Sequence, residues 1–422
     1  MFCLASARWL AASIGAEIHR LVCCESAPTT EMASQGHQIK GDNGDGGRGA
    51  ASNDGVVPHQ DVLYEILLRV PARPLCRFRA VCQSWRSLLS DPQFAAAHAA
   101  HHRGDVLFVV CAIGTTYGHN SFAEIRLLDT SGCVVKRVKA GLISLWQMLP
   151  HLDQVLLRDT FGGTGAPMRI LDLATGTVSI LPSSFKDVQC SFVFGRAVSS
   201  TGGHGEYKVL SLDTNVNSRQ PVRVLTVDRS GGTWRAAPRP PVTIKTFGIR
   251  TGVASKGVIY HLVDNNNCWS IAAFDLEAEQ WWPSLIQGPE EPMPSIIDSH
   301  SQRSLAEMNG CLAAVSTRIT TMDIWLLMCS GNWSKQCRVC TWPFLPIGAS
   351  ALEAKPLSVL DDGRIAFWLC FDRGTAGLWM YDPRTETCTE VVAMEKCLNI
   401  GLGVYTGNLL RQLQPALGVD KL

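Results

Sequence analysis

The chain has 422 residues, with 38 basic and 37 acidic side chains and a formal net charge of +1. This length exceeds what one hydrophobic core usually covers, which favours two domains or one large repeat array. Because the charges balance, there is no long-range positive field, so nucleic acid and membrane surfaces are not expected partners.

Cysteine usage and hydropathy indicate where the protein works. The 16 cysteines are scattered through the chain without paired spacing, which argues against a secreted disulfide scaffold. No apolar stretch reaches the roughly 18 to 20 residues that a bilayer span requires. We therefore expect a protein of the cytoplasm, the nucleus or both.

Residues 1–55 are predicted to be a disordered leader, because residues 36–55 are dominated by Gly, Asp and Asn. The first 21 residues are apolar with two arginines, but Glu17 interrupts them and no ordered signal pattern follows. Two interpretations stay open for this stretch: a targeting segment, or a leader within which Met32 is an alternative start.

Residues 56–103 carry helix signals and are predicted to form a three-helix module. Pro71 ends a first run of near-helical period, and Pro74 opens a second run that continues to Trp85. Ser90-Asp91-Pro92 is typical of a helix stop followed by an N-cap and a first-turn proline. A short Ala-rich helix through Ala100 should follow.

Residues 104–410 change to short apolar runs separated by Gly, Asp, Asn or Pro turns, which predicts an all-β domain. Residues 411–422 are expected to be a tail. Examples of the apolar runs are VLFVV, YKVLSL, VRVLTV, GVIYHL, IAAFDL, DIWLLM and RIAFWL. Helical periodicity does not return, so an alternating parallel βαβ architecture is disfavoured.

One word recurs in the β region: a strand that ends at Asp, with an apolar anchor six residues later. A strand ending at Asp can hold its own turn through local hydrogen bonds, so each copy predicts the outer hairpin of a propeller blade. Six copies at spacings of about 43 to 56 residues indicate about six blades. The pairs are Asp129/Val135, Asp172/Val178, Asp228/Trp234, Asp275/Trp281, Asp382/Cys388 and a degenerate copy with Leu327/Trp333.

Residues 57–94, VPHQDVLYEILLRVPARPLCRFRAVCQSWRSLLSDPQF, closely resemble the F-box motif of plant F-box proteins. The downstream words, such as MRILDLATGTVSILP, FDLEAEQW and LWMYDPRT, are similar to the kelch-like F-box-associated domain that follows this motif. The family usually opens with Leu-Pro and an acidic pair, whereas this chain has Val57-Pro58-His59-Gln60-Asp61. Asp61 still places a negative charge at the helix start.

The resemblance implies a substrate-recognition subunit of a Skp–cullin–F-box ubiquitin ligase, without catalytic residues or cofactors of its own. Its partners would be a Skp-type adaptor, cullin through that adaptor, and a protein substrate that the sequence does not identify. About 45 helical residues bury little surface, so a partner should cover the remaining apolar side chains. Positions matching the family's adaptor-contact face, some of which must instead form the module's core, are Pro58, Leu63, Ile66, Leu67, Leu75, Val81, Cys82 and Trp85.

Several short motifs resemble chemical sites but have simpler structural interpretations. Cys337-Arg338-Val339-Cys340 has zinc-knuckle spacing but lacks a second ligand pair nearby in sequence, so no metal site is predicted. The histidines at 98, 101 and 102 are expected to form a polar face. Asp361-Asp362-Gly363 is interpreted as a hairpin turn rather than as catalytic carboxylates.

Two other functions stay open. The first is a propeller-fold enzyme or small-molecule-binding protein whose turnover the helical module regulates; a pocket with converging titratable residues would distinguish it. The second is a protein that binds the adaptor but never assembles with cullin. The sequence does not reveal the substrate, because loop residues that recognise partners carry no repeat-enforced pattern.

Overall fold

The structure is a computed structural model. It divides the chain into two compact units, residues 1–94 and 95–422. The described residues are 60–70, 72–102, 106–115, 121–142, 145–159, 168–182, 190–199, 205–213, 220–228, 232–244, 252–265, 268–290, 302–318, 321–340, 351–371, 376–394, 401–407 and 409–410. The predicted leader, the predicted tail and Pro58 therefore lie outside the described residues.

Four helices open the described chain: α1 (Gln60–Leu68), α2 (Ala72–Phe78), α3 (Gln83–Ser90) and α4 (Pro92–His101). The Asp91 carboxylate accepts a hydrogen bond from the Gln93 amide, as an N-cap of α4 should. None of these helices is long and apolar enough to cross a bilayer.

The module differs from the predicted three helices in one place. The run from Pro74 to Trp85 was expected to be a single helical segment, but a turn divides it into α2 and α3. Cys82 has extended backbone angles there, and the Val81 amide donates to the Phe78 carbonyl. The apolar period continues across this turn, which is why the sequence pattern did not reveal it.

The rest of the described chain forms six antiparallel sheets, each a blade of a propeller. This confirms the predicted six-bladed β-propeller. Four blades use consecutive strands only. In chain order, blade 2 is β4 (Leu145–His151), β5 (Gln154–Asp159), β6 (Arg169–Asp172) and β7 (Val178–Ile180); blade 3 is β8 (Cys190–Arg196), β9 (Tyr207–Asp213), β10 (Val222–Val227) and β11 (Trp234–Ala237); blade 5 is β17 (Gln302–Met308), β18 (Cys311–Thr317), β19 (Thr321–Leu327) and β20 (Trp333–Cys340); blade 6 is β21 (Ala351–Val359), β22 (Ile365–Phe371), β23 (Ala376–Asp382) and β24 (Thr387–Met394).

The other two blades depart from that plan. Blade 4 gains a short fifth strand that pairs with its third strand, and blade 1 takes its innermost strand from the end of the chain. Blade 4 is β12 (Gly252–Ser255), β13 (Val258–Asn265), β14 (Cys268–Asp275), β15 (Gln280–Trp281) and β16 (Ile286–Gln287); blade 1 is β25 (Gly401–Tyr405), β1 (Leu107–Thr115), β2 (Ser121–Leu128) and β3 (Val134–Leu142).

Strand β25 closes the ring of blades. It pairs with β1 from Leu107 opposite Tyr405 to Cys111 opposite Gly401. The innermost strands then contact one another in a circle, in which β25 touches both β4 and β21. At Gly401 a Cβ atom would overlap the Met148 carbonyl oxygen, so glycine is required for this close approach. The first and last parts of the β domain are thus joined in one blade.

The repeated word has the predicted structure. In all six copies it spans the third and fourth strands of a blade. The Asp275 carboxylate accepts hydrogen bonds from the Glu277 and Ala278 amides, at 2.8 and 2.9 Å. Equivalent turns, in which the aspartate side chain accepts from amides two to four residues later, occur at Asp129, Asp172 and Asp382. These local bonds fix the outer hairpins.

Three tryptophans of the word connect neighbouring blades. Each indole N–H donates to a backbone carbonyl of the preceding blade or of the segment that leaves it. The pairs are Trp234 to Pro182 (3.2 Å), Trp281 to Pro238 (2.9 Å) and Trp333 to Gln287 (2.7 Å). The word therefore stabilises both the hairpin and the contact between blades.

Candidate functional site

Helix α1 presents two apolar faces. Val62 and Ile66, four residues apart and so on one face of the helix, are 51% and 37% exposed. Leu63 and Leu67 lie on the other face, where Leu63 is half-buried and Leu67 is 1% exposed. One face thus belongs to the module's core, and the other presents aliphatic side chains to solvent.

The turn between α2 and α3 presents a third exposed apolar side chain. Val81 is 38% exposed, and Cys82 beside it is half-buried. The Arg79 guanidinium fixes this turn by donating to the Leu89 carbonyl at 2.7 and 3.2 Å. Arg86 in turn donates to the Arg79 carbonyl at 3.2 Å. Burial lowers the pKa of Arg79 from its ordinary value, but the guanidinium stays charged, and the Leu89 carbonyl oxygen accepts its hydrogen bonds.

The core of the module contains two of the residues that match the family's contact face. Leu75 is fully buried, as is Leu67, and the rings of Tyr64 and Phe94 meet edge to face at 5.2 Å. Trp85 is half-buried and its ring lies 5.4 Å from that of Phe78. Substituting a core residue would therefore unfold the module rather than report on a partner.

The eight predicted contact residues differ in burial. Exposed are Ile66 and Val81; half-buried are Leu63, Cys82 and Trp85; buried are Leu67 and Leu75; Pro58 is not described. Val62, which shares the exposed face of Ile66, was not among the predicted contact residues, although its spacing of four from Ile66 was a signal for a shared face.

The motifs that the sequence analysis interpreted as structural lie in the second unit. Asp362 accepts hydrogen bonds from the Arg364 amide and guanidinium, at 3.0 and 2.7 Å, within the turn between β21 and β22. The amide bond is the first reason that the pKa of Asp362 lies below its ordinary value. This confirms the hairpin interpretation. Within the described ranges, no group of three or more His, Cys, Asp or Glu side chains is arranged to hold a metal ion.

A comparison with protein families identifies the helical unit. The F-box domain model matches residues 59–96, which span α1 to α3 and the start of α4. The chain thus carries an F-box domain in its helical unit. An F-box protein of Arabidopsis thaliana is 43% identical to it over 49 residues, which cover 12% of this chain and 13% of that protein.

Similarity to a second plant protein extends over the propeller as well. An F-box/kelch-repeat protein of Arabidopsis thaliana is 25% identical over 309 residues, covering 66% of this chain and 79% of that protein. Among solved structures, the periplasmic gluconolactonase of Pseudomonas aeruginosa matches with a TM-score of 0.39 and 14% identity. That match covers 68% of this chain and 83% of the gluconolactonase.

Proposed function

We propose that this protein is the substrate-recognition subunit of a Skp–cullin–F-box ubiquitin ligase. The observation that carries the proposal is an F-box domain with Val62, Ile66 and Val81 exposed, in the same chain as a six-bladed propeller. The exposed side chains would bind a Skp-type adaptor. The propeller would hold a protein substrate.

Apolar burial supports the proposed binding of a Skp-type adaptor. Covering a large aliphatic side chain completely contributes about 1.5 to 3 kcal/mol, and the three exposed residues would each gain part of that amount. A module of this size also has little core of its own, so a partner that covers it would stabilise the fold as well.

Proximity is the mechanism by which a substrate held on the propeller would be ubiquitinated. A receptor that holds a substrate beside a charged conjugating enzyme raises the effective concentration of its lysines, and it needs no catalytic residue. We therefore propose a non-catalytic role in this chain, with the chemistry on other subunits. The cytoplasm or nucleus remains the predicted location.

Assembly in solution tests this proposal. The full chain, a plant Skp-type adaptor and a cullin would be co-expressed and separated by size-exclusion chromatography. We expect all three to co-elute, and we expect the chain to leave the complex when Ile66 and Val81 are both changed to Asp. A folded chain that elutes apart from the adaptor would overturn the proposal.

A further inference from the structure

Three cysteines lie on the outermost strands of two neighbouring blades. Cys337 and Cys340 are on β20 of blade 5, and Cys388 is on β24 of blade 6. All three are free thiols. Cys388 is separated from the other two by about 50 residues of sequence, so residue spacing alone does not associate them.

Tyr381 brings the two strands together. It lies directly opposite Cys388 in the ladder between β23 and β24. Its hydroxyl donates to the Arg338 carbonyl at 3.5 Å, and Arg338 stands between Cys337 and Cys340 on β20. Cys337 and Cys388 also pack against the same apolar cluster, which includes Val339, Phe367 and Tyr381. Cys337 and Cys388 thus meet at one contact between blades, and Cys340 follows Val339 of the same cluster at the end of β20.

The thiols differ in accessibility to solvent. Burial raises the pKa of Cys388 to about 12, with further contributions from Cys340 and then Cys337. Burial likewise raises the pKa of Cys337 to about 11, with help from the nearby Asp323 carboxylate. Both groups are half-buried and stay protonated at neutral pH, whereas Cys340 is exposed to solvent. A dissolved oxidant would reach Cys340 first.

We propose that Cys340 and Cys388 form an inter-blade disulfide when the protein is exposed to hydrogen peroxide. The Cys340 thiolate attacks one peroxide oxygen, the O–O bond breaks, and the departing hydroxide takes up a proton to become water. The Cys388 sulfur then attacks the resulting sulfenic acid at sulfur, forming the S–S bond and breaking the S–O bond. The hydroxyl leaves as water with the Cys388 proton, so two thiols lose two electrons and one peroxide yields two waters.

This disulfide would link blades 5 and 6, between which no backbone strand pairing occurs at β20 and β24. Strands β20 and β24 belong to separate sheets, which in the described residues near the thiols are joined by side-chain packing and the Tyr381 hydrogen bond. A covalent bond between them would hold blades 5 and 6 together at their outer edges. We therefore expect the oxidised protein to unfold at higher denaturant concentration than the reduced protein.

Trypsin makes the cross-link directly readable. Cleavage after Lys335, Arg338 and Arg384 places the three cysteines in separate peptides: 336–338, 339–364 and 385–396. The full chain would be treated with hydrogen peroxide, alkylated, digested without reductant and analysed by mass spectrometry. We expect peptides 339–364 and 385–396 joined and lighter by two hydrogens than their sum. Dithiothreitol should separate them.

Serine variants provide the controls. Cys340→Ser should abolish the joined peptide, whereas Cys337→Ser should keep it. Cys329→Ser, which changes an exposed cysteine in the turn between β19 and β20, should keep it as well. Cys340 joined to peptide 336–338 would overturn the proposal. So would a Cys340 that oxidises to sulfinic acid while Cys388 remains a free thiol in the folded protein.

Discussion

The indole nitrogen of Trp281 lies 2.9 Å from the carbonyl oxygen of Pro238, to which it donates a hydrogen bond. Trp281 lies on the outer hairpin's return strand, β15, in blade 4, and Pro238 follows the last strand of blade 3. Its ring also meets that of Phe274 edge to face at 5.1 Å. One side chain therefore contributes to its own blade and to the contact with the preceding blade.

Replacing Trp281 with Phe should isolate the hydrogen bond, since the aromatic ring remains. We expect the free energy of unfolding to fall by about 1 kcal/mol, the net value of one such bond. Chemical denaturation would measure it. Trp282→Phe is the matched control, because Trp282 is 39% exposed and, among the described residues, its indole N–H donates to no other blade. Equal losses in the two variants would contradict the role of the indole N–H.

The carboxylate of Asp323 should make the propeller sensitive to strong acid. Burial alone would raise its pKa, but hydrogen bonds from Arg338 (2.7 and 2.8 Å) and Lys335 outweigh burial and lower it. A folded-state pKa below the ordinary 3.8 means that Asp323 stabilises the fold above that pH. This stabilisation is lost as pH falls through the lower folded value.

Asp323→Asn tests that account. At pH 7 we expect a loss of about 1 to 3 kcal/mol, because the variant keeps the volume but not the charge-assisted bonds. Arg338 and Lys335 are about half exposed, so water can solvate them in the variant, which limits the loss. The variant should also show a shallower decline of stability below pH 4 than the native chain. Parallel pH profiles would contradict the assignment.

His261 predicts a second pH dependence in milder acid. Burial lowers its pKa from 6.5 to about 4, so the folded state holds the neutral ring while the unfolded chain binds a proton. Stability from this group is therefore complete above pH 6.5 and is lost as pH falls toward 4. His151, whose pKa burial also lowers to about 4, contributes in the same window.

Denaturation at pH 7.5 and pH 5 would measure the contribution of His261. His261→Leu should reduce the difference in unfolding free energy between the two pH values by about 1 to 2 kcal/mol. The part of that difference that His151 contributes should remain in the variant. Exposed His101 supplies the control, since His101→Leu should leave the difference unchanged. A native-like difference in His261→Leu would show that this histidine does not set the pH dependence.

Closure of the ring by β25 predicts a sharp effect of truncation. A chain ended after residue 400 loses the innermost strand of blade 1 and the buried side chains of Leu402 and Tyr405. We expect it to unfold at lower temperature and with reduced cooperativity. A chain ended after residue 410 keeps β25 and should melt like the full chain. Similar melting of the two would contradict closure by this strand.

The sequence predicted the blades because the repeated word is local. Asp275 holds amides two and three residues away, and Trp281 follows at a fixed offset, so both appear in a single hairpin's sequence. The closing strand does not carry the word. Its pairing with β1 joins residues almost 300 positions apart, which no local pattern encodes.

Helical periodicity was a weaker guide to the site than to the fold. It marked Ile66, Leu67, Leu75 and Val81 alike as apolar, but only packing makes Leu67 and Leu75 core while Ile66 and Val81 stay exposed. The break between α2 and α3 depends on Arg79 reaching Leu89, ten residues away. A contact between a side chain and a backbone carbonyl ten residues away produces no periodic pattern in the sequence.

Affinity for a Skp-type adaptor tests the proposed role most directly. Binding of the full chain would be measured by calorimetry for the native protein, for Ile66→Asp with Val81→Asp, and for Ser87→Asp as an exposed control. We predict tight binding by the native chain and the control, and at least a hundredfold loss in the double variant with its helical content unchanged. Equal affinity in all three, or no binding by a folded native chain, would contradict an adaptor-binding F-box surface.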